Sequence, residues 1–263
     1  MSRTIEVPQT QSPVKANVFF NGQLGKFSVL QVGDNADLQE ITYPFSFVVL
    51  DADTHKVGGK LGGIEKNAVK FKSTLGHPKY GRTLKVWLEN DPNKVLAVGT
   101  WGQIKNKPEL SDARYTALIY ALADFGDGKE TCCIHLHGRA LSAWFDATQN
   151  KKINPCGDYC FIVKRTEKSN GTGASSLVPV FETGQISAET LKIAEQADFD
   201  LQVWLSEQFQ SEAKDLGIGA AGATRSDAAY QNGNGGEPTY LETTRKPAFA
   251  ADPNFPSEDD LPF

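Results

Sequence analysis

The chain has 263 residues, 40% hydrophobic and 22% charged, enough for one large domain or two small ones with a sizeable core. No run of about 18 apolar residues occurs, which excludes a membrane-spanning helix, and Met1-Ser2-Arg3-Thr4-Ile5-Glu6 lacks an apolar stretch of signal-peptide length, so a cytoplasmic protein is expected. The net charge of −5 is uneven: residues 1–184 hold 22 of the 27 Lys and Arg but only 18 of the 32 Asp and Glu, so a mildly basic body precedes an acidic end.

Residues 1–13 are polar, carry Pro8 and Pro13, and read as a flexible arm. Structure begins in the stretch Val14 to Val32. Pro44 to Leu50 predicts a strand with Phe45, Phe47 and Val49 on one face and Ser46 and Val48 on the other. Asp51-Ala52-Asp53 reads as a turn, because paired acids beside a break are usually turn formers. A loop through Gly58, Gly59, Gly62 and Gly63 follows. Ala68 to Thr74 alternates Val69, Phe71 and Ser73 against Lys70 and Lys72, one face apolar and the other positive.

His77-Pro78-Lys79-Tyr80-Gly81-Arg82 is a loop carrying two bases and two rings. Thr83 to Glu89 then buries Leu84, Val86 and Leu88 and turns Lys85 and Trp87 outward, with Val95 to Trp101 as the returning strand. A large ring beside a lysine is what a base-stacking platform needs; a helix or second sheet covering Trp87 is the other reading. Tyr115 to Leu122 and Thr131 to Leu136 predict strands around the turn Phe125-Gly126-Asp127-Gly128. Arg139 to Ala147 predicts a short helix with Leu141 and Trp144 inward. Tyr159 to Thr166 and Leu177 to Glu182 predict a hairpin, with Lys164, Arg165 and Lys168 near its flexible tip, Ser169 to Gly173.

Ser187 to about Glu212 predicts the one long helix, capped by Ser187 and helped by Glu189 in its first turn. Ile193, Ala197, Leu201 and Trp204 or Leu205 form its apolar stripe, which packs on the body or mediates self-association. From residue 216 the pattern dissolves into Gly-, Asn- and Gln-containing low complexity, expected to be a disordered linker.

Four cysteines without an export signal argue for reduced thiols. A zinc site from Cys156 and Cys160 with Cys132, Cys133, His135 or His137 is the sharper reading. Only one pair has suitable spacing, and Cys132 and Cys133 should point to opposite faces of a strand, so no metal is expected. There is no phosphate-binding loop and no His-Glu-x-x-His. Scattered carboxylates such as Asp51, Asp53 and Asp158 leave a metal-dependent nuclease as an alternative, since such sites have no linear signature.

The final residues, Ser257-Glu258-Asp259-Asp260-Leu261-Pro262-Phe263, place three acids before a hydrophobe, a proline and a terminal ring. This tip resembles the acidic tip of bacterial single-stranded DNA-binding proteins. Val18-Phe19-Phe20-Asn21-Gly22-Gln23-Leu24-Gly25 is similar to the first strand of that family. The resemblance covers these two ends only; the middle of the chain departs from the short bacterial form. It implies a mostly β fold: an OB-like barrel with extra hairpins and the C-terminal helix over residues 14–215, then a disordered linker and interaction tip over 216–263.

The implied function is sequence-independent binding and protection of single-stranded DNA, in a cellular, plasmid or phage setting. Glu258, Asp259, Asp260, Leu261, Pro262 and Phe263 would recruit replication, recombination or repair enzymes. The expected DNA contacts are Lys70, Lys72, Lys79, Tyr80, Arg82, Lys85, Trp87, Lys164 and Arg165, with no catalytic residue, no cofactor and homo-oligomerisation open. An adaptor that binds no DNA is the third reading.

Overall fold

Period-two alternation of apolar and polar residues dominates the chain, and the fold is accordingly mostly β. The computed structural model describes residues 11–33, 37–61, 68–126, 128–149, 152–156, 159–168 and 176–215. Most of the arm, the glycine-rich stretch after Leu61, Asp158, the hairpin tip at 169–175, the linker and the tip Glu258 to Phe263 lie outside the described residues. Among the described residues, no helix is long and apolar enough to cross a membrane.

Eleven strands form one mixed sheet: β1 Ala16–Asn21, β2 Lys26–Gln31, β3 Leu38–Glu40, β4 Phe45–Leu61, β5 Val69–Ser73, β6 Leu84–Leu88, β7 Asp91–Gly99, β8 Arg114–Asp124, β9 Lys129–His137, β10 Tyr159–Lys168 and β11 Leu177–Gln185. The main path is open, in the order β3-β2-β1-β9-β8-β4-β5-β6-β7. Among the described residues its one parallel pairing joins β1 to β9, and β10 with β11 branches off the start of β4. Among the described residues, helices α1 Trp101–Ile104, α2 Gly138–Thr148 and α3 Ala188–Asp215 and a short 3-10 turn at Pro108–Leu110 accompany the sheet.

β4 is the axis. Sequence reasoning ends this strand at Leu50 and turns the chain at Asp51; the strand instead runs seventeen residues through both the acids and Gly58-Gly59. Register shifts between Val49 and Asp51 and between Asp51 and Thr54 absorb the irregularity. Asp51 still acts as a turn former, accepting from the Asp53 and Thr54 N–H groups, but within a bulge that leaves pairing to β8 intact. Gly59 is needed because a Cβ there would strike the Phe71 ring and the Asp112 carbonyl.

From Phe47 to Ala52 both faces of β4 are buried. Phe45, Phe47 and Val49 enter the main core with Phe27, Phe161, Ile119, Ile134 and Trp144. Val48 and Leu50 face the other way, onto Ala194, Leu201, Leu205 and Phe209 of α3. Phe27 of β2 lies 5.5 Å from Phe45 of β4, ring centre to ring centre, although β1, β9 and β8 separate their strands. The sheet therefore curls strongly around its core. At its rim the N–H of Leu177 donates to the carbonyl of Gly22, and Gly25, at φ +66°, has no room for a side chain beside Leu177 and Thr166.

α3 begins as expected, with Ser187 Oγ accepting the Thr190 N–H at 3.1 Å. Its inward stripe holds Leu201 and Leu205, with Ala197 and Trp204 packed against them, as expected; only its start differs, Ala194 being buried and Ile193 exposed. β7 also differs from expectation, starting at Asp91 and ending at Gly99, so that Trp101 opens α1 instead of closing a strand.

Candidate nucleic-acid interface

Cross-strand partners share a face, so the pairing register states which side chains stand together. Trp87 is directly opposite Lys72, Lys72 is opposite Gly58, and Gly58 is opposite Arg114 on its other side. Phe71, Leu84, Val86 and Leu88 take the core side of β5 and β6. Lys72, Trp87 and Arg114 are thus turned outward, as are Lys70, Lys85 and Lys60. Trp87 is half-buried among its neighbours and belongs to neither apolar cluster.

Lys60 stands directly opposite Lys70. Facing like charges on adjacent strands is destabilising. Glu89, whose N–H donates to the Lys70 carbonyl, is an acid just past the end of β6. Among the described residues, Lys56, Lys60, Lys70, Lys72, Lys85 and Arg114 make no ion pair. Gly58 carries no side chain between Lys72 and Arg114, so the surface dips there.

The same face continues across β8, β9 and β1. Lys56 is opposite Thr116, which is opposite His137; Leu118 is opposite His135, which is opposite Phe19. Burial depresses the Lys56 ammonium, partly offset by the nearby Cys133 thiol. Burial, with the charges of Lys56 and His137, lowers His135 to about 3, and burial with Arg114 lowers His137. Beyond this row α3 closes the face, covering Tyr120, Leu122 and Cys133.

The remaining expected contacts lie elsewhere. Tyr80 stacks on Phe209 of α3 at 5.5 Å, and its hydroxyl donates to Gln202 at 2.8 Å. Lys79 lies over the Tyr80 ring at 4.9 Å, and Arg82 is close enough to lower the Asp53 carboxyl, which burial raises. This loop holds α3 in place. Lys164 pairs with Glu182 at 2.8 Å and Arg165 with Glu167 at 3.0 Å, near the start of β4 and away from its Gly58–Leu61 end. Lys70, Lys72, Lys85 and Trp87 are brought together; Lys164 and Arg165 do not join them. Lys56, Lys60, Arg114 and Phe19 were missed. Alternation through Lys56, Gly58 and Lys60 was the available signal, masked by the glycines.

Asp51 and His77 form a buried pair at 3.0 Å. Asp51 Oδ1 also accepts from the Asp53 and Thr54 N–H groups and the Thr54 hydroxyl. Nδ1 of His77 accepts the Lys79 N–H at 3.0 Å, which puts the ring proton on Nε2, donated to Asp51. Neither ring nitrogen is left to act as a base, and Asp51 is saturated. The pair fastens the 77–82 loop to the β4 bulge. Cys132 and Cys133 point to opposite faces, one in each cluster, and burial raises both thiols, Cys133 to about 12. Among the described residues, no group of three or more His, Cys, Asp and Glu is placed to hold a metal ion. Compared with protein-family models, curated proteins and solved structures, the chain matches none.

Proposed function

We propose that the chain binds single-stranded DNA without sequence preference on the outward face of β4, β5 and β6, in a barrel of OB-like design. The observation that carries this reading is the apposition of Lys60 with Lys70 beside the apposition of Lys72 with Trp87. The first is unfavourable until a polyanion lies across it; the second supplies a ring for a base and a cation for its phosphate. The OB-like design rests on the long bulged strand β4, whose one edge is shared by β10 and β5, and on the curl that brings Phe27 to Phe45.

The acidic tip Glu258 to Phe263 recruits DNA-processing enzymes in this proposal, a part that rests on sequence: acids for basic residues around a pocket, Leu261-Pro262-Phe263 for the pocket. Titration of fluorescent oligo-dT, with matched duplex in parallel, tests the binding. Tight, salt-sensitive binding of oligo-dT and weak binding of duplex is expected. Equal binding of both, or of neither, refutes the proposal.

A further inference from the structure

On the proposed face, one end of the open sheet offers Trp87. The other end offers a second, preassembled ring pair. Phe19 of β1 is turned outward with 38% of its surface exposed. Its ring lies 4.7 Å from that of His135, tilted by 33°. His135 is held in turn by Nε2 to Asn17 Oδ1 at 3.0 Å, and both partners sit on the same outward face by register.

An isolated exposed apolar residue needs no explanation. Here the ring is packed at a tilt against an imidazole whose direction is fixed by a hydrogen bond, and Lys56 is close enough to bear on that imidazole electrostatically. Because burial and the neighbouring cations keep His135 uncharged at any ordinary pH, it presents a flat neutral ring. The pair has the composition of a stacking surface beside a phosphate-binding cation.

Trp87 and Phe19 are on strands five spacings apart in the sheet order β6-β5-β4-β8-β9-β1. At about 4.8 Å per spacing, the path along the sheet is roughly 24 Å. The outward positions along one path between them are Lys72, Gly58, Lys56, Thr116 and His137, polar or basic but for Gly58, which has no side chain; Leu118, opposite His135, is buried in the cluster with α3. On the far side, α3 blocks the face at Cys133 and Tyr120. An open lane therefore leads from one ring to the other.

Resting on the reading that this face binds single-stranded DNA, we propose that the bound strand crosses the sheet. One base stacks near Trp87, a later base stacks on the Phe19–His135 pair, and Lys56 meets a phosphate between them. The strand is thus gripped at two stations, and affinity depends on a length that reaches both.

The test is an oligo-dT length series, from about 4 to about 16 nucleotides, against the full chain and against Phe19→Ala, Phe19→Trp and Trp87→Ala. For the unaltered chain, affinity should rise with length and then level once both stations are spanned. Phe19→Ala should lose about tenfold on the long oligomers and leave the shortest unchanged, while Phe19→Trp should bind like the unaltered chain. Circular dichroism confirms that each variant is folded. If folded Phe19→Ala matches the unaltered chain at every length, or loses equally at every length, the second station is refuted. If Trp87→Ala weakens binding and Phe19→Ala does not, only the second station falls. If the unaltered chain binds no oligo-dT, the reading of the face falls with it.

Discussion

Lys72 and Trp87 are direct cross-strand partners on β5 and β6, a cation and an indole side by side on a face that no helix of the described chain covers. Trp87→Ala should weaken oligo-dT binding by about 1–3 kcal/mol. Lys72→Ala and Lys85→Ala should each lower affinity and reduce the salt slope by about 0.7, the value of one phosphate contact on a single strand. Fluorescence titration at several salt concentrations measures both, with circular dichroism as the folding control. Unchanged binding in folded Trp87→Ala would remove that ring from the site.

Lys164 and Arg165 give the complementary expectation. Each is exposed and paired with Glu182 or Glu167, at the opposite end of β4 from Lys70 and Lys72. Replacing both with alanine should leave the salt slope of oligo-dT binding as it was, and stability within about 1 kcal/mol, as is usual for surface pairs. A slope reduced by as much as in Lys72→Ala would extend the site to β10.

Asp51→Ala removes the acceptor of four donors in a buried bulge. Leaving these buried donors without their acceptor should cost about 1–3 kcal/mol for each that finds no other partner, seen as a lower urea midpoint. A full-stability variant that instead loses Mg²⁺-dependent DNA cleavage would revive the enzyme reading of Asp51.

Stability should fall with acid through the imidazoles that burial lowers, His55 and His135 above all, with His137 lowered in the same sense. Burial lowers His55 to about 4 and His135 to about 3, from an ordinary value of 6.5. Below about pH 6.5 the unfolded chain takes up protons that the folded chain refuses. The stabilisation is therefore complete above that pH and drains as pH falls toward 4 for His55 and toward 3 for His135. Asp53, raised by burial and by Asp51, acts in the opposite sense. Urea midpoints at pH 7 and pH 5 should differ, and the difference should shrink in His55→Gln. An identical pH dependence in both proteins would show that His55 is not a source of it.

For the tip, deleting residues 257–263 should leave oligo-dT affinity unchanged or slightly higher, most visibly at low salt, where acids compete best with DNA. Capture of DNA-processing enzymes should collapse, and Phe263→Ala should cause most of that loss. Pull-downs compared by mass spectrometry decide it: the same enzymes on all three baits would make the tip irrelevant to recruitment.

Local patterns were legible and long-range ones were not. The alternation of Lys70 and Lys72 against Phe71, and of Lys85 and Trp87 against Leu84, Val86 and Leu88, correctly separates the faces of β5 and β6, because period two follows from the strand itself. β4 was cut short because Asp51, Gly58 and Gly59 carry turn chemistry. What keeps the strand going past Leu50 is pairing with β8 and β5, across separations as long as that of Asp51 from Tyr120. The same cut concealed Lys56 and Lys60. Phe19 stood in a first-strand motif, but only the parallel pairing of β1 with β9 places it against His135. On α3, a stripe at helical spacing does not say which of two adjacent residues faces inward, and Ala194 rather than Ile193 does.

The buried Asp51–His77 pair has a spectroscopic consequence. Its shared hydrogen lies beneath the Tyr80 and Phe209 rings, 4.9 and 5.9 Å from the imidazole, and His77 is 3% exposed. Solvent reaches that hydrogen when the contact between the 77–82 loop and α3 opens, so its exchange lifetime measures how often that contact lets go. A single downfield imidazole resonance, followed in a proton spectrum as DNA or a partner is added, would report whether either ligand loosens or clamps it, with no label on the protein.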